Sequence, residues 1–171
     1  MNASRASHFA LFGLPERFAI DLDALQAAYR IVQQAVHPDR FASAGQTERR
    51  LAMQRAAQAN EALAVLRDPV RRGAYLAERR GAPIDAESNT AMPAEFLVEQ
   101  MQWREALDEA REAGDPSGVA QLAATVAGQR DALLERLRAA LDERDDPAAA
   151  ALLVRQLMFV DRFGADLDCA G

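Results

Sequence analysis

The pattern of apolar residues in this chain predicts an all-α fold. Three observations carry that expectation. Apolar residues recur at spacings of three and four almost throughout. No stretch shows the period-2 alternation of β-branched residues that a half-buried strand requires. Proline and glycine divide the sequence into pieces of helix length, three of which begin with Asp-Pro. With 171 residues and 50% hydrophobic content, a packed core is feasible without disulfides. The expected architecture is an N-terminal helical hairpin followed by a C-terminal three-helix bundle.

The elements follow in order. A short helical piece is expected around His8 to Leu14, closed by Gly13 and Pro15. A second helix spans about Leu22 to Val36, with Asp21 as its N-cap and Asp23 at the positive end of its dipole. Leu22, Leu25, Tyr29, Val32 and Val36 fall on one face of it. Pro38 stops this helix, because the residue before a proline is pushed out of helical geometry. A third helix spans roughly Glu48 to Leu66. Ala52, Ala56, Ala59, Leu63 and Leu66 make its inner face, small enough for close antiparallel approach to the second helix. Asp68-Pro69 opens a fourth helix that ends near Arg80 at Gly81.

Residues 82–91 are polar and aperiodic and read as a linker. Beyond it Pro93 opens a helix that Gly114 ends, Asp115-Pro116 opens a long one reaching about Arg144, and Asp146-Pro147 opens the last, ending near Gly164. Short connections make neighbouring helices antiparallel. The expected division is a first domain at 1–76, a helix end and linker at 77–91, and the bundle at 92–171.

Composition narrows the function. Net charge is −6, but residues 1–75 carry ten Arg against seven acids and residues 76–171 ten Arg against nineteen. An acidic second half argues against nucleic acid, which demands a positive footprint. The basic first half suits an acidic protein surface. Every basic residue is Arg, which reads as compositional bias rather than function. The single cysteine, Cys169, cannot form an internal disulfide, and residues 1–7 lack the apolar run of a signal peptide. No stretch reaches transmembrane length. The cytoplasm is the expected location, with no membrane association.

The sharpest motif is His37-Pro38-Asp39, set between two amphipathic helices. By composition such a tripeptide arises by chance in on the order of one per cent of chains this size. Pro38 stiffens the loop, Asp39 presents a carboxylate able to take bidentate hydrogen bonds from an arginine, and His37 offers one donor and one acceptor. A stiff loop loses little entropy on docking. Neither His37 nor Asp39 has a nucleophile or orienting group to support catalysis, so no enzyme is expected. No resident cofactor or metal is expected either, since the chain has only two histidines, His8 and His37. His8 reads as a packing or surface residue. The bland alternative, a mere helix-breaking turn, is outweighed by what flanks the motif.

Those flanks are Leu11-Phe12-Gly13-Leu14-Pro15, Tyr29-Arg30, Arg40, Asn60-Glu61-Ala62, Leu66, Asp68-Pro69, Arg72 and Tyr75. In this order they resemble the J-domain over about residues 7–76. The resemblance implies binding to a DnaK-type ATPase chaperone and allosteric stimulation of its ATP hydrolysis. His37, Pro38 and Asp39 would engage the chaperone, with Arg30 and Arg40 docking on its acidic surface. Two features depart from the family pattern. Gln33, Gln34 and Ala35 stand where positive charge is usual, and Arg40 stands where lysine is commoner. Weaker electrostatic steering, or a specialised partner, is the implication.

The second half lacks Gly/Phe-rich and cysteine-rich modules. Phe96-Leu97-Val98-Glu99-Gln100-Met101-Gln102-Trp103-Arg104-Glu105-Ala106-Leu107-Asp108-Glu109 and Arg155-Gln156-Leu157-Met158-Phe159-Val160-Asp161-Arg162 resemble the C-terminal domain of HscB-type co-chaperones of iron–sulfur cluster assembly. Phe96, Trp103, Leu107 and Ala110 share one helix face and suffice for a core. Leu97 and Met101 form a second stripe, flanked by Val98, Gln102 and Glu105. An apolar patch with a polar rim marks a partner site, and packing within the bundle is the even alternative. The family likeness implies that Leu97, Val98, Met101, Gln102, Glu105 and Phe159 bind an IscU-like scaffold protein. Val98 replaces a familiar methionine and Gln102 a familiar acid. A general J-protein serving unfolded clients is the competing expectation.

Overall fold

The computed structural model describes residues 6–41, 44–85 and 92–168. Among them are seven α-helices and no strand: α1 (His8–Leu11), α2 (Leu22–Val36), α3 (Gln46–Arg67), α4 (Pro69–Arg79), α5 (Ala94–Glu112), α6 (Pro116–Asp142) and α7 (Pro147–Asp168). A 3-10 turn, Pro38–Phe41, lies between α2 and α3. The fold is all-α, as the sequence predicts. The chain divides into two compact units, Met1–Leu76 and Ala77–Gly171.

Local chemistry fixes the helix ends. Asp21 accepts from the backbone N–H groups of Asp23 and Ala24, Asp68 from Arg71, Asp115 from Ser117 and Asp146 from Ala149, all at 2.8–3.1 Å. Each satisfies donors that the first helical turn leaves unpaired. At the other end, Gly114 adopts φ +59, a conformation that side chains disfavour. There the Asp115 N–H reaches the Ala110 carbonyl and the Gly114 N–H that of Arg111, closing α5.

Three expectations need correction. The first helix ends at Leu11, not Leu14, because Gly13 turns left-handed and the Leu14 N–H folds back onto the Phe9 carbonyl. Leu22 is half exposed rather than part of the inner face of α2, since it lies in the first turn beyond the hairpin contact. The last helix does not stop near Gly164. Phe163 and Leu167, one turn apart and both buried, hold it helical to Asp168. Residues 82–85, expected as linker, carry no secondary structure, and one of them is anchored. Ile84 is buried and its carbonyl accepts from Arg155 at 3.1 Å. The expectations for residues 86–91 and Cys169 lie outside the described residues.

In the first unit, α2 and α3 form a hairpin. Ala52, Ala59 and Ala62 are buried on α3 and face the space that Leu25 and Val36 fill from α2. Phe9, Phe12, Phe18, Leu66, Val70 and Leu76 complete this core. Arg72 is buried there, donating to the Leu66 carbonyl at 2.5 Å while its guanidinium lies 4.8 Å from the centre of the Phe18 ring. His8 is a packing residue: its ring stacks on Tyr75 at 4.3 Å and its backbone N–H donates to the Tyr75 hydroxyl.

The second unit is a three-helix bundle. Phe96, Trp103 and Leu107 of α5 pack with Leu133, Leu137 and Leu141 of α6 and Val154, Leu157, Val160 and Phe163 of α7. Trp103 meets Phe163 at 5.7 Å and Phe96 meets Phe159 edge-on at 6.0 Å, which sets α5 and α7 parallel with α6 running back between them. Arg80, just past α4, donates to the Leu141 carbonyl and to the Asp145 carboxylate, so a cation sits at the negative end of α6. No described helix is long and apolar enough to cross a membrane.

Candidate functional site

In the first unit, the tip of the α2–α3 hairpin carries the His37-Pro38-Asp39 turn. Tyr29 and Gln33 stand one turn apart on α2, and Asn60 faces them from α3. The Tyr29 hydroxyl donates to Asn60 Oδ1 at 2.9 Å, and Gln33 Nε2 donates both to that oxygen at 2.7 Å and to the Tyr29 hydroxyl at 2.9 Å. This polar clasp locks the register of the two helices. The sequence flagged Tyr29 and Asn60 as pattern residues and Gln33 only as a missing charge. The pairing across 27–31 residues had no local signal.

At the tip, His37 takes φ −59 and ψ 134, the extended geometry that a following proline imposes. Pro38 opens the 3-10 turn, and the Arg40 N–H closes it on the His37 carbonyl at 3.0 Å. His37 Nδ1 accepts the Asp39 backbone N–H at 3.3 Å and lies 3.5 Å from its carboxylate. A neutral Nδ1 accepts the N–H; a protonated one faces the carboxylate. The side chains stay in solvent, with His37 57% and Asp39 90% exposed. His37 and Asp39 are not buried and the turn is not part of a sheet, the two placements that would end a docking role. Arg30 and Arg40 are exposed and have no ion pair among the described residues.

The second candidate surface lies on the bundle. Phe96, Trp103, Leu107 and Ala110 are buried, as their shared face predicts. The second stripe does not pack inside the bundle: Leu97, Val98 and Met101 are 46%, 54% and 61% exposed, and Gln102 and Glu105 are exposed beside them. Phe159 is half-buried on α7, with its ring edge-on to Phe96 and 6.0 Å from the Arg104 guanidinium. Arg104 was missed in the sequence, although it stands three residues past Met101 on the same stripe. Val98 and Gln102 also border a groove of about 390 Å³ lined by Phe96, Glu99, Gln129 and Gln156. Gln129 donates to Glu99 across it at 3.0 Å. Three apolar side chains left in water beside an aromatic ring, with polar groups around them, have the makeup of a protein-binding patch. Among the described residues, no cluster of three or more His, Cys, Asp or Glu is placed to hold a metal ion.

Comparison with known proteins adds the following. Residues 92–168 match the family model described as the HSCB C-terminal oligomerisation domain. The chain is 52% identical over 163 residues to the co-chaperone protein HscB homolog of Bordetella petrii, covering 95% of each chain. It is 49% identical over 166 residues to that of Ralstonia nicotianae, covering 97% of this chain and 94% of the relative. The solved structure of chaperone HscB from Vibrio cholerae superposes with a TM-score of 0.81 at 32% identity, over 95% of this chain and 96% of that one.

Proposed function

Because the chain belongs to the HscB family of co-chaperones, we propose that it stimulates the ATPase of a DnaK-type, HscA-like chaperone and delivers an IscU-like iron–sulfur scaffold protein to it. The reading rests above all on the His37-Pro38-Asp39 turn at the tip of a clasped hairpin, with the His37 and Asp39 side chains exposed. Such a turn can enter a partner without rearranging, which suits a brief encounter. Arg30 and Arg40 supply flanking charge, and Asp39 offers a carboxylate to a partner arginine.

The scaffold is held by Leu97, Val98, Met101, Gln102, Glu105 and Phe159. The exposure of Leu97, Val98 and Met101 supports the assignment, since apolar residues in contiguous patches on a protein surface mark partner sites. The protein carries no catalytic group of its own in this scheme. It acts in the cytoplasm, where its single cysteine needs no partner.

Steady-state ATP hydrolysis by a DnaK-type chaperone, mixed with this protein and a scaffold, tests both halves. The scaffold and this protein together are expected to stimulate more than the sum of either alone. His37→Gln should abolish stimulation with the helical content unchanged. Leu97→Ala or Phe159→Ala should weaken scaffold binding about tenfold, or ~1.4 kcal/mol. Full stimulation by His37→Gln refutes the chaperone half. Equal binding of any unfolded chain, indifferent to Leu97 and Phe159, makes this a general J-protein instead.

A further inference from the structure

Methionine is a residue that protein cores ordinarily absorb, because its long, flexible thioether fills irregular gaps. This chain places it elsewhere. Met53, Met92, Met101 and Met158 lie among the described residues, and none of them is buried. The buried apolar side chains are Ala, Val, Ile, Leu, Phe and Trp. Met53 on α3 is 71% exposed, Met101 on α5 61% and Met158 on α7 44%. Met101 stands inside the exposed stripe of the bundle, with Leu97 and Val98 one turn before it and Arg104 and Glu105 one turn after. Leu97, Val98 and Phe159 carry no sulfur, so Met101 is the member of the stripe that peroxide oxidises.

A thioether and its sulfoxide ask opposite things of a partner. The thioether is apolar and adaptable and suits a hydrophobic contact. The sulfoxide is polar, and its oxygen accepts hydrogen bonds that water supplies in the free protein. An apolar partner surface leaves that oxygen unpaired, and burying an unpaired polar group costs free energy. The loss falls on the complex and not on the fold, because the Met101 side chain is in water to begin with.

We propose that Met101 is a reversible oxidation site whose sulfoxide switches scaffold binding off, a regulation that rests on reading this stripe as the scaffold surface. The oxidant is hydrogen peroxide. The Met101 sulfur attacks one peroxide oxygen, and the S–O bond forms as the O–O bond breaks. Sulfur gives up two electrons, and the proton of the transferred oxygen leaves with the departing hydroxide as water. A methionine sulfoxide reductase reverses the step with two electrons from a pair of thiols, returning the oxygen as water. The scaffold is then let go where peroxide rises and held again after repair.

The test uses the full chain with Cys169→Ser, which leaves methionine as its only oxidisable sulfur. This protein is partly oxidised with hydrogen peroxide, freed of peroxide and passed over an immobilised IscU-like scaffold. Peptide mass spectrometry then compares the retained and unretained fractions. Met101 sulfoxide is expected to be at least about fivefold scarcer in the retained fraction, while Met53 sulfoxide, on the other unit, divides evenly. Both fractions should have the same helical content, and sulfoxide reductase should return the unretained protein to the scaffold. Equal Met101 sulfoxide in the two fractions overturns the inference. So does equal depletion of Met53 sulfoxide, a loss of helix in the unretained fraction, or retention that the reductase does not restore, since each makes the effect general damage. Unoxidised protein run in parallel keeps the two claims apart. If the scaffold does not retain it, the scaffold surface itself is refuted, and the switch with it; if the scaffold retains it and the Met101 sulfoxide form alike, only the switch is refuted.

Discussion

At the scale of single residues, the His37-Pro38-Asp39 turn was readable because its chemistry is local. Histidine, proline and aspartate in succession dictate an extended residue, a stiff bond and a presented carboxylate, whatever surrounds them. Phe159 and Arg104 show the opposite case. Their contact joins two helices 55 residues apart in sequence, and no local pattern encodes it. Charges on helix surfaces fall between the two. Arg138 donates to Glu135 through Nε and one Nη, and the same Nη reaches Glu143 as well. The hydrogen bonds from Arg138 hold the Glu135 carboxyl below its ordinary value. A carboxyl lowered in the folded state contributes stability above its unfolded value and loses it as pH falls through the folded one. NMR titration should therefore find the Glu135 midpoint below that of a free glutamate, and Arg138→Ala should return it to the ordinary range. An ordinary midpoint in the wild type would remove the interaction.

At the scale of elements, helix starts were the most legible feature, since Asp-Pro supplies a cap and a residue shaped for the first turn. Ends were less so. Gly114 stops α5, whereas Gly164 sits inside α7 because burial of Phe163 and Leu167 outweighs the weak helix preference of glycine. The same reasoning predicts stability changes. An added Cβ meets nothing within 4 Å at Gly128 or Gly164, both within helices. Each Gly→Ala change there should stabilise by about 0.5–1 kcal/mol in urea denaturation. At Gly114 the space is equally open but φ is +59, so Gly114→Ala should cost about 1 kcal/mol instead. Equal effects at the three sites would contradict this account. The hairpin contact was legible in its alanine face, but the Tyr29–Gln33–Asn60 clasp depended on a register known only once both helices are placed.

At the scale of the whole molecule, the acidic and basic halves and the aperiodic stretch between them already pointed to two bodies. The anchoring of Ile84 shows why their border is hard to read: a polar stretch can still bury one apolar residue. The only tryptophan, Trp103, lies in the bundle, so its fluorescence reports on that unit. Leu137 and Leu66 are fully buried, one in each unit. Leu137→Ala should lower the tryptophan-detected stability by about 2–5 kcal/mol, and Leu66→Ala should leave it nearly unchanged while lowering the far-UV signal of the hairpin. A tryptophan transition that moves equally in both variants would mean that the units melt as one. The clasp in the hairpin has one further consequence. Its three members are a phenol and two amides, none bearing a formal charge, so added electrolyte has little purchase on the shape they maintain. Under the proposed function, a drop in chaperone activation in concentrated brine then reports on how often the two proteins meet, because the hairpin itself keeps its shape.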